Sequence, residues 1–109
     1  MGFDLASFGL RVQDQAEEWD SLGLDWAVGP IHPNYGKALT SATFDGVEWL
    51  AQISIWDTGD SEVETVRKRD GQAINKHYDV ADITDLDTVI DDLLRLLRDG
   101  EAPSGAFIP

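Results

Sequence analysis

Residues 38–56, ALTSATFDGVEWLAQISIW, hold the reading that decides the fold. Residues 38–44 read as one strand and 47–56 as the strand returning from it, with Asp45-Gly46 between them, a favoured pair for a two-residue hairpin turn. Successive strand side chains point to opposite faces. On the returning strand Val47, Trp49, Ala51, Ile53 and Ile55 therefore share the face expected to be core, and Glu48, Leu50, Gln52, Ser54 and Trp56 share the other.

Beyond this hairpin, Thr58, Gly59 and Asp60 turn the chain into a strand over 62–68, and Asp70-Gly71 turns it again into 72–78. Three hairpins in succession predict an antiparallel meander. Residues 24–28 form a further short strand candidate, whereas Gly29, Pro30, Pro33, Asn34 and Gly36 are turn formers and predict loop. At the N-terminal side Leu5, Phe8, Val12, Ala16, Trp19 and Leu22 recur at helical spacing, with Asp4 as N-cap and Gly23 as stop. Leu86, Val89, Ile90, Leu93, Leu94 and Leu97 form a second stripe, capped by Thr84 or Asp85 and ended by Gly100. Asp85 and Asp87 at its start and Arg95 and Arg98 at its end suit the helix dipole. The tail over 101–109 is expected to be weakly ordered.

These elements predict an α+β two-layer sandwich. Its sheet is a meander of four to five strands over about 38–79, and helices over about 5–22 and 85–98 lie on one face. A length of 109 residues fits a single domain with one hydrophobic core, needing neither disulfide nor metal. The absence of cysteine fits a reducing cytoplasm. Met1 to Val12 carries no export signal, and no apolar run approaches the roughly 20 residues that span a bilayer. A cytoplasmic location is expected.

The chain has 21 Asp and Glu against 8 Lys and Arg, a formal net charge of −13. Such a surface repels nucleic acid and anionic membranes, so neither is expected as a partner. It also speeds association with basic proteins; solubility alone is the simpler account of the same charge. Disorder is excluded by composition, since 42% of the residues are hydrophobic and four are Trp.

Asp57-Thr58-Gly59, preceded by Ile55-Trp56, has the form of the active-site triplet of homodimeric aspartic proteases, in which two such carboxylates share a proton. The pattern stops there. Asp60 follows where those enzymes carry a small residue, and no apolar-apolar-Gly segment lies downstream. A hairpin turn, with Asp bonding its own backbone and Gly at positive φ, is the expected reading. His32 and His77 have no neighbours at metal-ligand spacing and no Gly-x-Ser-x-Gly elbow to serve. The acidic run Asp82, Asp85, Asp87, Asp91 and Asp92 lacks the glycine and closing glutamate of a calcium loop and reads as a solvated helix face. No phosphate-binding glycine loop is present. No catalytic residue, metal or cofactor is expected.

Recognition is the remaining reading. Leu50 and Trp56 lie opposite the core face of the central strand, and Asp57, Asp60, Glu62 and Glu64 are close in sequence to Trp56. Aromatic anchors among charges are characteristic of binding hot spots. These six residues are the candidate partner-binding set; the alternative for Trp56 is cover by the 29–36 loop or the C-terminal tail.

The segment Ala42-Thr43-Phe44, then WLAQISIWDTG over 49–59, followed by an acidic strand and a Leu-rich C-terminal helix, resembles the TriTu-type immunity proteins. The likeness spans residues 39–97 and rests on the order of elements and the apolar-Trp-Asp-x-Gly stretch. It implies a small acidic bacterial protein, encoded beside a polymorphic toxin, that binds and neutralises that toxin inside the producing cell. A basic, nuclease-like toxin would suit the charge. The alternative class is a small acidic dimeric secretion chaperone that holds an extended segment of an exported effector; oligomeric state and the folding of the partner separate the two.

Overall fold

The computed structural model describes residues 2–34 and 36–109; Met1, the first residue of the Met1–Val12 stretch read above for an export signal, and Tyr35 lie outside the described residues. Two helices, α1 (Leu5–Asp14) and α2 (Ala16–Ser21), precede strands β1 (Asp25–Val28), β2 (His32–Asn34), β3 (Lys37–Asp45), β4 (Trp49–Trp56), β5 (Asp60–Arg67) and β6 (Gln72–Asp79). Helix α3 (Ile83–Asp99) follows. The sheet runs β1-β3-β4-β5-β6, all antiparallel, and β2 pairs with β3.

The central hairpin turns later than its sequence predicts. Asp45 is held in β3 by pairing with Asp25 of β1 and Leu50 of β4, so it is not free to turn. Gly46 N–H donates to the Trp49 carbonyl at 2.9 Å, and Val47 and Glu48 form the tip. Val47 is consequently 92% exposed, not part of the core. A Cβ at position 46 would lie 2.7 Å from Leu24 Cδ2, so a larger residue there would have to displace the end of the Leu24 side chain. An Asp45-Gly46 turn would set Phe44 opposite Val47, whereas Phe44 pairs with Ala51. That displacement is even in length, so Trp49, Ala51, Ile53 and Ile55 keep their predicted face and are buried.

Part of the proline-containing segment is strand, not loop. His32–Asn34 pairs with Lys37–Leu39, and β1 and β2 lie end to end along the free edge of β3, where proline's missing N–H is tolerated. Residues 29–31 absorb the offset between them, with Gly29 N–H donating to the Ser41 carbonyl at 2.8 Å.

The N-terminal helix is broken in two at Gln15. A buried indole requires an acceptor for its N–H. Trp19 Nε1 donates to the Val12 carbonyl at 2.9 Å, and its fully buried ring packs on Phe44 with centroids 4.5 Å apart. Leu5, Phe8, Val12 and Trp19 are buried, as the stripe predicts. Asp4 caps α1 by accepting from Ala6 N–H, and Gly23 takes a φ of 71° after α2.

All three helices contribute to one core with Ala42, Phe44, Trp49, Ala51, Ile53, Ile55, Val63 and Ile74 of the sheet. The predicted α3 stripe is buried throughout. Its N-cap is Asp82, not Thr84 or Asp85: the Asp82 side chain accepts from Asp85 N–H at 3.0 Å and Asp85 accepts from Ala81 N–H at 2.9 Å, a reciprocal cap. Gly100, with a φ of 71°, ends the helix. Arg11 grips Asp87 through two 2.8 Å hydrogen bonds, joining α1 to α3 and holding the Asp87 carboxyl below its ordinary range. Polar inner-face residues are satisfied locally, Ser61 by the Ser54 carbonyl and Thr65 by the Ile74 carbonyl. No helix among the described residues is long and apolar enough to cross a membrane.

The tail is ordered, contrary to expectation. Phe107 exchanges both backbone hydrogen bonds with Asn75, at 2.9 and 2.7 Å, and thereby covers part of the β6 edge. Unpaired strand edges favour such an addition.

Gly59 and Gly71 both have positive φ, 94° and 70°. A Cβ at Gly59 would lie 2.3 Å from the Val80 carbonyl oxygen, whereas one at Gly71 meets nothing within 4 Å. Gly71→Ala is expected to cost about 1 kcal/mol of stability and Gly59→Ala at least about 2 kcal/mol, measured by urea denaturation.

Candidate functional site

Because the helices occupy one side, the other side of the sheet is left without helical cover. Strand register sets its composition in rows. Leu39 faces Trp56 across β3 and β4. The next row is Ser41, Ser54, Glu62 and His77, followed by Thr43, Gln52, Glu64 and Asn75, and then by Asp45, Leu50, Val66 and Ala73. Leu50 and Val66 are 47% and 38% exposed.

Five of the six candidate residues come together on this face. Trp56, half-buried, stands at one end of β4 and Leu50 at the other, about 20 Å apart at the rise of a strand. Asp60, Glu62 and Glu64 alternate along β5 beside them. Asp57 is placed differently. It lies in the β4–β5 turn, where its carboxylate accepts from Ala38 N–H at 3.1 Å and its carbonyl from Phe3 N–H. The Asp-Thr-Gly triplet is thus a turn, as expected, with Gly59 at positive φ, although the aspartate bonds a neighbouring strand instead of its own turn. Thr58 Oγ1 donates to Asp60 Oδ2 at 2.9 Å.

His77, which has no neighbours at metal-ligand spacing along the chain, sits at the centre of the acidic band. Its Nδ1 lies 2.8 Å from Glu62 Oε1, and its Nε2 lies 3.1 Å from Asp79 Oδ1 and 3.7 Å from Asp60 Oδ1. The hydrogen bonds to Glu62 and then Asp79 raise the His77 pKa above its ordinary 6.5, against a smaller opposing effect of burial. A doubly protonated ring donates from both nitrogens. Asp60, His77 and Asp79 also bring ligand atoms within 4.8 Å of one another, close enough to hold a metal ion, although an imidazolium satisfies the same carboxylates by itself. Spacing along the chain hides this group because it is assembled by β5–β6 pairing. The pairing Asp60↔Asp79 and Glu62↔His77, set by the 68–71 turn, was the signal that would have found it.

Charge on this face is poorly compensated. Asp60, Glu62 and Asp79 share one imidazole, and Glu64 has no ion-pair partner among the described residues. At the β5–β6 turn, Lys68 is engaged with Asp45 and Arg67 with Asp70.

The architecture is that of a small α+β protein with helices on one sheet face and an acidic second face open. The family model for the immunity protein TriTu matches residues 6–96, and the chain belongs to that family. No curated protein and no solved structure matches the chain. The match runs from the first turn of α1 into the last turns of α3, and so takes in the N-terminal helices and the proline-containing edge that lay outside the 39–97 likeness. Membership makes this an immunity protein, and its partner a cognate toxin protein.

Since the folded-state value of His77 exceeds 6.5, the protonated ring contributes stability that is complete below about pH 6.5 and lost as pH rises through the folded value. NMR titration should place the His77 midpoint above 6.5 and show it falling in Glu62→Gln. The melting-temperature advantage of the unaltered protein over Glu62→Gln should shrink over the same rise in pH.

Proposed function

We propose that this immunity protein neutralises its toxin by occlusion, laying the helix-free sheet face over the toxin's active site or locking its conformation. Trp56 and Leu50 serve as apolar anchors at the two ends of the face. Asp60, Glu62 and Glu64 meet basic groups on the toxin, and Asp57 holds the turn that carries Trp56. The partner is a polymorphic toxin domain with a basic, nuclease-like cleft, encoded beside this gene, and binding takes place in the cytoplasm of the producing cell. Protection comes from binding, with no chemical step by this chain.

The reading is carried by the convergence of Leu50, Trp56, Asp60, Glu62 and Glu64 on one uncovered face. The net charge of −13 supports it, since carboxylates can occupy the phosphate positions of a basic cleft. A flat strand face with aromatic and aliphatic groups bordered by charge also has the composition of a protein interface.

Co-expression with the toxin domain encoded by the neighbouring gene tests the surface. A Trp56→Ala, Asp60→Lys double variant should remain folded by circular dichroism and fail to restore growth; full protection by it removes this face from consideration. Raising salt from low to about 0.5 M should slow association by about tenfold or more in stopped-flow measurements, with a smaller change in dissociation.

A further inference from the structure

The C-terminal tail adds a side chain to the open face that belongs to no strand of the meander. Directly opposed residues of an antiparallel pair project to the same side of a sheet, so Phe107, bridged to Asn75, projects with Asn75, Glu64 and Gln52. Ala106, one residue earlier, packs against the core on the other side, which agrees with that alternation. Phe107 is 65% exposed, further out of the surface than the half-buried Trp56.

Its place is fixed in advance. Besides the two-way backbone bridge, Lys76 Nζ donates to the Ser104 carbonyl at 2.7 Å and Gln72 Nε2 to the Pro109 carbonyl at 3.2 Å. An exposed aromatic on an ordered backbone loses little freedom on binding, which favours it as an anchor. It lies beside the apolar row Leu50, Val66 and Ala73, so the four form a strip along one border of the acidic band. Among the other exposed apolar residues, Leu10 lies on α1 and Ile31 before β2, whereas Ile108 follows Phe107 in the chain and, by strand alternation, projects to the opposite side.

We infer that Phe107 is an anchor of the toxin interface, seated in an apolar pocket of the toxin that is rimmed by Lys or Arg side chains facing Glu62 and Glu64. The inference rests on the occlusion reading above. Charge selects the occupant: Glu64 lacks a cationic partner among the described residues, and the carboxylates around His77 outnumber their single counter-charge. The tail therefore works as a fixed part of the binding face.

Isothermal titration of the intact chain against the purified toxin domain encoded by the neighbouring gene separates the possibilities. Phe107→Ala should weaken binding at least about tenfold, while Leu10→Ala, equally apolar and exposed but on the helical layer, stays within about twofold. Unaltered binding by Phe107→Ala overturns this assignment and leaves the occlusion reading standing; no binding by the unaltered protein overturns both. Should Phe107→Ala disturb folding, hydrogen exchange on the unaltered complex decides: slower exchange at amides 106–108 on binding supports the assignment, and unchanged exchange there refutes it.

Discussion

Helices α1, α2 and α3 bury the sheet face that bears Phe44, Trp49, Ile53 and Ile55, and a strand cannot turn one side chain inward without turning its neighbour outward. The composition of the uncovered face follows from that packing. Trp19 is the pivot, wholly buried against Phe44 with its indole N–H bound to the Val12 carbonyl. Burial of side chains of this size is worth about 1.5–3 kcal/mol each, several times more than a half-exposed ion pair such as Arg11–Asp87 contributes. The apolar contacts therefore decide where the helices sit, and the ion pairs trim their orientation.

The open face is organised by electrostatics. Asp60, Glu62 and Asp79 crowd one imidazole, and such crowding stores repulsion that a basic surface relieves. His77 moderates the repulsion within the free protein, since its raised pKa means that the ring gains a proton more readily among the carboxylates than it would in water. The same alternation that gives the core its apolar side places these acids together, because every second residue of β5 from Asp60 to Glu64 is acidic.

Edges receive separate treatment. Along β3 the outer edge is split into β1 and β2 by the 29–31 offset, which interrupts the row of backbone groups that another chain could pair with. Along β6 the tail bridges at Phe107. Both devices discourage edge-to-edge strand addition.

Hydrophobic periodicity in the sequence alone determined the α+β class, the meander, the two helical regions and the inward faces of β4 and α3, since period is a local property readable residue by residue. It also put Leu50 and Trp56 opposite the core. Tertiary contacts decided the rest. Pairing of Asp25 with Asp45 delayed the central turn and put Val47 into solvent. Seating Trp19 accompanied the break at Gln15, and the β3 edge drew His32–Asn34 into the sheet. The carboxylate group around His77 and the position of Phe107 depend on strand register and edge pairing, which join residues far apart in the chain through hydrogen bonds that leave no local pattern behind.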